Sequence, residues 1–104
     1  MASSKEYLHY ILGQLKELDD ISYRAMMGEY IIYYRGRIAA YVCDNQLLVK
    51  PVAPARALLP EAPLIPPYEG AKEMLLVEQT DQPDFLMKLL EASYPALPEP
   101  KKKK

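Results

Sequence analysis

Between Ile21 and Lys50 the apolar side chains recur every second residue, and turn residues break the run at short intervals. Ser22 to Met26 is a short strand candidate. Glu29 to Tyr34 alternates tyrosine with isoleucine, so Tyr30, Ile32 and Tyr34 share one face while Ile31 and Tyr33 take the other. Arg37 to Cys43 is apolar on both faces, and Gln46 to Lys50 reads as a fourth strand. Arg35-Gly36 and Asp44-Asn45 supply the turns, Gly36 because it reaches positive φ at low cost. Links this short leave no room for a crossover, so successive strands must be antiparallel neighbours. A meander of this kind has to have one face covered.

The cover comes from outside the run. Leu8, Ile11, Leu12, Leu15 and Leu18 form one stripe at helical spacing, which predicts a surface helix ending near Leu18. Ser3 with Glu6 three residues on reads as its capping box, and Gly13 lies off the stripe. Pro54 suits the first turn of a short helix that Pro60 ends, and the stretch from Pro63 to Gly70 reads as irregular with an extended piece at Tyr68. Met74 to Val77 is a compact apolar run that reads as a last strand, with a helical turn as the alternative. Asp81, ahead of Pro83 and Asp84, is a candidate cap for a helix carrying Phe85, Leu86, Leu89 and Leu90 and stopped by Pro95. The expectation is one α+β domain over residues 1–95. Its central antiparallel sheet has about five strands, in the order α-β-β-β-β-α-β-α, with the helices packed on it. Residues 96–104 are expected to be a disordered Pro/Lys-rich tail.

Composition excludes several classes. With 104 residues there is room for a single core. Half the residues are hydrophobic, too many for a disordered chain, yet no stretch approaches the ~20 apolar residues of a membrane span. The first hundred residues carry nine basic and fourteen acidic side chains, so the body is acidic and nucleic-acid contact is expected to be weak at most, through Lys101–Lys104. The N-terminus shows no basic segment leading into an apolar one, and Cys43 is a single thiol, so a cytoplasmic location is expected.

Groups able to do chemistry are scarce. His9 flanks the helix stripe beside Lys16, Cys43 has no cysteine or histidine nearby to form a pair or a zinc site, and Asp19-Asp20 reads as a solvated turn. Phosphate-loop, dinucleotide and zinc-helix motifs are absent. No catalytic residue, metal or cofactor is expected, and the chain is read as not an enzyme. Nine tyrosines need a different reading. Tyr30, Tyr33, Tyr34 and Tyr41 crowd two strands, where aromatic pairs stabilise a sheet or form a recognition surface. The candidate interaction surface is Arg24, Tyr30, Tyr33, Tyr34 and Lys50, offered to a protein partner or to a second copy. The alternative is a small-anion pocket, binding or enzymatic, near Arg24, Tyr30 and Lys50. Met26 and Met27 fill core gaps at a corner where Gly28 permits a bend.

The segment from Ile21 to Pro51, ISYRAMMGEYIIYYRGRIAAYVCDNQLLVKP, resembles the N-terminal domain of the TfoX/Sxy family of bacterial competence regulators. Arg24, Met26, Met27 and Gly28 match an Arg-x-Met-(Phe/Met)-Gly element, Gly36 and Arg37 match the turn, and Leu47 and Lys50 match the closing Leu-x-x-Lys. The likeness takes in most of residues 5–94. Glu29 stands where many members have a second glycine, and Arg35 where an aspartate often precedes the turn glycine. What the resemblance implies is an α+β domain with a central antiparallel sheet and flanking helices. It carries over no catalytic residue and does not by itself imply competence control; bacterial transcription or competence regulation is the setting expected for a regulatory role. Together with the tyrosine-rich sheet the resemblance leads to the expectation of a non-catalytic regulatory or adaptor module working through protein–protein contacts.

Overall fold

The computed structural model describes residues 5–26, 28–67 and 69–97. In chain order it runs α1 (Lys5–Gln14), β1 (Ile21–Met26), β2 (Glu29–Tyr34), β3 (Arg37–Cys43), β4 (Gln46–Val49), α2 (Ala53–Leu58), β5 (Leu64–Ile65), β6 (Met74–Val77) and α3 (Pro83–Ser93), then one 3₁₀ turn at Tyr94–Ala96. The fold is α+β. Its antiparallel sheet has six strands in the order β1-β2-β3-β4-β6-β5, one more than expected.

The hairpins form where turn chemistry and alternation agree. Arg35 and Gly36 both take positive φ (53° and 83°), as do Asp44 and Asn45 (53° and 54°), the mark of two-residue hairpin turns whose twist matches that of the strands. Gly28, at φ 85°, lies in the equally short link between the paired Met26 and Glu29. The sixth strand, β5, is two residues between Pro63 and Pro66, at the sheet edge where a missing N–H does no harm. The Pro63 carbonyl accepts from the Leu76 N–H at 3.0 Å, which draws this proline-bounded piece onto β6. Alternation over two residues is too short to reveal a strand.

The helices also depart from expectation at their ends. α1 stops at Gln14, and the chain tightens into shorter-range bonds, Leu15 N–H to the Leu12 carbonyl and Leu18 N–H to that of Leu15. The apolar stripe survives the change, since Leu15 and Leu18 both remain in the core. α3 begins after Gln82, not at an Asp81 cap. A backbone turn from Gln79 to Gln82 comes first, and Thr80 is held by Gln14, whose Nε2 donates to its carbonyl at 2.6 Å. Leu97, two residues past the expected domain end, is buried in the core. Arg37 fixes that segment. Its Nη1 donates to the carbonyls of Tyr94 (2.9 Å) and Leu97 (3.4 Å), and its guanidinium stacks 4.4 Å from the Tyr94 ring. Ser3, Met27, Tyr68 and the lysine tail, each given a role above, lie outside the described residues.

The three helices of the described residues pack on one side of the sheet. Leu8 and Ile11 of α1, Ala55 of α2 and Leu86, Leu89 and Leu90 of α3 join Ile32, Val42, Val49 and Val77 in a single core. Fully burying each large aliphatic side chain contributes about 1.5–3 kcal/mol.

Candidate functional site

Directly paired residues of an antiparallel sheet share a face, so the register defines each face row by row. One row, Tyr23–Ile32–Ala40–Val49–Leu75–Leu64, looks toward the helices, and its four central members are almost completely buried. The neighbouring row, Arg24–Ile31–Tyr41–Leu48–Leu76, looks the other way. None of the helices packs over it, yet apart from Arg24 it is apolar or aromatic. A sheet face turned to water ordinarily carries polar side chains.

This helix-free face has two tiers. Cys43, Leu48 and Met74 form a small buried cluster, and Tyr41, Ile65 and Leu76 pack against it half-buried. Tyr33 is half-buried on the same side of β2, opposite the exposed Ser22. Arg24 is exposed at one end of the row, and Lys50, half-buried, follows Leu48 by two residues. The result is an apolar centre flanked by cationic side chains.

The five residues singled out in the sequence therefore do not form one patch. Arg24 and Tyr33 share the helix-free face. Tyr30 lies on the opposite side, packed against the core with its ring edge-on to Tyr23 at 6.1 Å. Tyr34 is a core residue, 3% exposed, set edge-on to Tyr94 at 5.4 Å with the Arg35 guanidinium 5.2 Å from its ring. The anion pocket imagined from Arg24, Tyr30 and Lys50 is not assembled. Tyr30 and Arg24 face opposite ways, and Lys50 stands three strand spacings from β1, about 14 Å or more. Sequence reasoning passed over Ile31, Leu48 and Leu76. The usable signal was that β3 and β4 are apolar at consecutive positions, the mark of strands that are apolar on both faces.

The chemistry of the face is quiet. Burial, with the Glu29 and Asp44 carboxylates adding to it, pushes the Cys43 thiol from 9.0 up to about 12, so it stays protonated at neutral pH and is a poor nucleophile. Glu29 also accepts the Asp44 N–H at 3.1 Å, which ties the β3–β4 turn to β2. His9 is exposed on α1. Among the described residues no three His, Cys, Asp or Glu side chains converge to hold a metal ion, and no helix is long and apolar enough to cross a membrane.

Comparison with known proteins adds a family. The model of the TfoX N-terminal domain matches residues 13–99. Among curated proteins, an uncharacterized 12.7 kDa protein in the trpE 5′ region of Spirochaeta aurantia is 29% identical over 106 residues, an alignment spanning 100% of this chain and 91% of the relative. No solved structure matches the chain.

Proposed function

The chain belongs to the TfoX N-terminal domain family, and from that premise we propose that it is a non-catalytic regulatory module acting by protein–protein contact through the helix-free face of its sheet. One observation carries the reading: among the described residues no helix lies over the row Ile31–Tyr41–Leu48–Leu76, which crosses four strands and reaches the surface through the half-buried Tyr41 and Leu76, with Ile31 and Leu48 buried beside them. Apolar centres with aromatic side chains and flanking polar groups are the usual make-up of contact surfaces, and tyrosine adds buried area at small entropic cost. Arg24 and Lys50, at its margin, fit a partner with acidic groups outside an apolar centre. Regulation of transcription or competence is the setting that the family suggests.

The test compares three tagged forms of the protein in affinity capture from the native host. These are the wild type, the double variant Tyr33→Ser with Leu76→Ser, and Lys88→Glu, which alters an exposed residue on the helix side. The expected result is a partner retained by wild type and Lys88→Glu and lost from the double variant, which still unfolds in one cooperative transition at a lowered melting temperature. A partner retained equally by all three would overturn the assignment of the face.

A further inference from the structure

The two ends of the sheet are unequally protected. β5 is two residues bounded by prolines, whereas β1 is six residues long, pairs with β2 without a bulge, and contains no proline and one charge. Ser22, Tyr23, Arg24 and Ala25 are all exposed, Tyr23 at 44%. The ladder shows which backbone groups this edge offers. The Arg35 N–H donates to the Asp20 carbonyl at 3.0 Å, the rung next to the Ile21–Tyr34 pair. Antiparallel rungs alternate, so Ser22, Arg24 and Met26 turn their backbone groups toward β2. Ile21, Tyr23 and Ala25 turn theirs outward.

We propose that this edge pairs with β1 of a second copy of the chain, antiparallel about a two-fold axis at Tyr23, joining the two six-stranded sheets into one. The segment Ile21-Ser22-Tyr23-Arg24-Ala25 reads apolar, polar, aromatic, polar, apolar in both directions. A dyad at Tyr23 therefore sets Tyr23 against Tyr23 of the second copy, Ile21 against its Ala25, and Ser22 against its Arg24. Every outward N–H from Ile21 to Ala25 then donates to an outward C=O of the second copy, each rung exchanging both hydrogen bonds. Shifting the dyad to Arg24 would oppose two guanidinium groups, which is unfavourable. A second feature marks the same edge. Leu12, Leu15, Leu18, Ile21 and Tyr23, together with the charged Lys16 and Asp20, line an open groove of about 350 Å³ between the end of α1 and β1. The dyad brings the two grooves to the same side of the joined sheet, with the Tyr23 rings between them. This pairing is independent of the proposed contact face, which stays open in the dimer.

Sedimentation velocity of the full chain at high micromolar concentration is expected to give a dimer mass. Ala25→Lys, which puts a charge on an exposed edge position, is expected to weaken association about tenfold or more. Mild oxidation reads the register. Residues directly opposed on a hydrogen-bonded rung lie ~5.5 Å apart between Cα atoms, within disulfide reach, so Tyr23→Cys should cross-link rapidly. Arg24→Cys, meeting its own copy only on the ~7–8 Å diagonal, should be far slower. A monomer throughout, a dimer untouched by Ala25→Lys, or equal cross-linking of the two cysteine variants would each overturn the proposal.

Discussion

The two faces of this sheet are made from the same strands, alternate residues going to each, and both have an apolar centre, although the helix-free face also carries Ser22, Arg24, Glu29 and Gln46. They differ in cover. Ile32, Val42, Val49 and Val77 sit beneath three helices and belong to the main core. On the other side, Leu48 and Cys43 are just as inaccessible, but their cover is a thin tier of Tyr41, Ile65 and Leu76 that is itself half in water. A buried side chain therefore does not identify which face holds the fold together. What separates the faces is whether the covering layer is independently anchored.

The largest effect should come from the helix side. Ile32→Ala removes a side chain that is 0% exposed in the middle of the main core and is expected to cost about 3–5 kcal/mol in chemical denaturation. Leu76→Ala on the other face should cost about 1–2 kcal/mol, because neighbours at a half-open site relax and water reaches it. Equal losses at both positions would break the comparison.

The Cys43 thiol sharpens it through pH. Its folded pKa is raised, so the unfolded chain gives up this proton first. Stability is fully present below about pH 9 and is lost as pH rises toward about 12. Cys43→Ala should remove part of this alkaline loss while lowering stability at neutral pH. In the wild type at neutral pH, an aromatic disulfide reagent should label the thiol much more slowly than it labels the unfolded chain. Rapid labelling of the native protein would mean that the thin tier opens freely.

A smaller effect is expected where the C-terminal turn is pinned. Arg37→Ala deletes the donors to the Tyr94 and Leu97 carbonyls and the stacking on Tyr94, which should cost about 1–3 kcal/mol and increase amide exchange in residues 94–97. Arg37→Lys, lacking the planar fork, should recover less than half of it.

Much of the architecture was legible because local signals agreed with one another. The period of two, the two positive-φ turns and the stripe from Leu8 to Leu18 each pointed to one arrangement, and the structure has it. The parts that escaped depend on distant residues. β5 exists because the Pro63 carbonyl meets the Leu76 N–H, a pairing that no pattern within Leu64–Ile65 announces. Leu97 is core because Arg37, sixty residues earlier, holds its carbonyl. For the candidate surface, alternation correctly separated Tyr33 from Tyr30 and Tyr34. It could not say which set the helices would cover, so Tyr34 was grouped with a surface from which its burial removes it.

Adjacent residues on β6 give the most direct test of the central claim that one face carries the fold and the other is left for contact. Val77 is 2% exposed beneath the helices, and Leu76 is half-buried on the other side. Thermal unfolding of Val77→Asp should show no cooperative native transition, because a carboxylate there has no water and no partner. Leu76→Asp should fold and melt cooperatively, losing about 1–2 kcal/mol. If Leu76→Asp fails to fold just as Val77→Asp does, the second face is core and the account is contradicted.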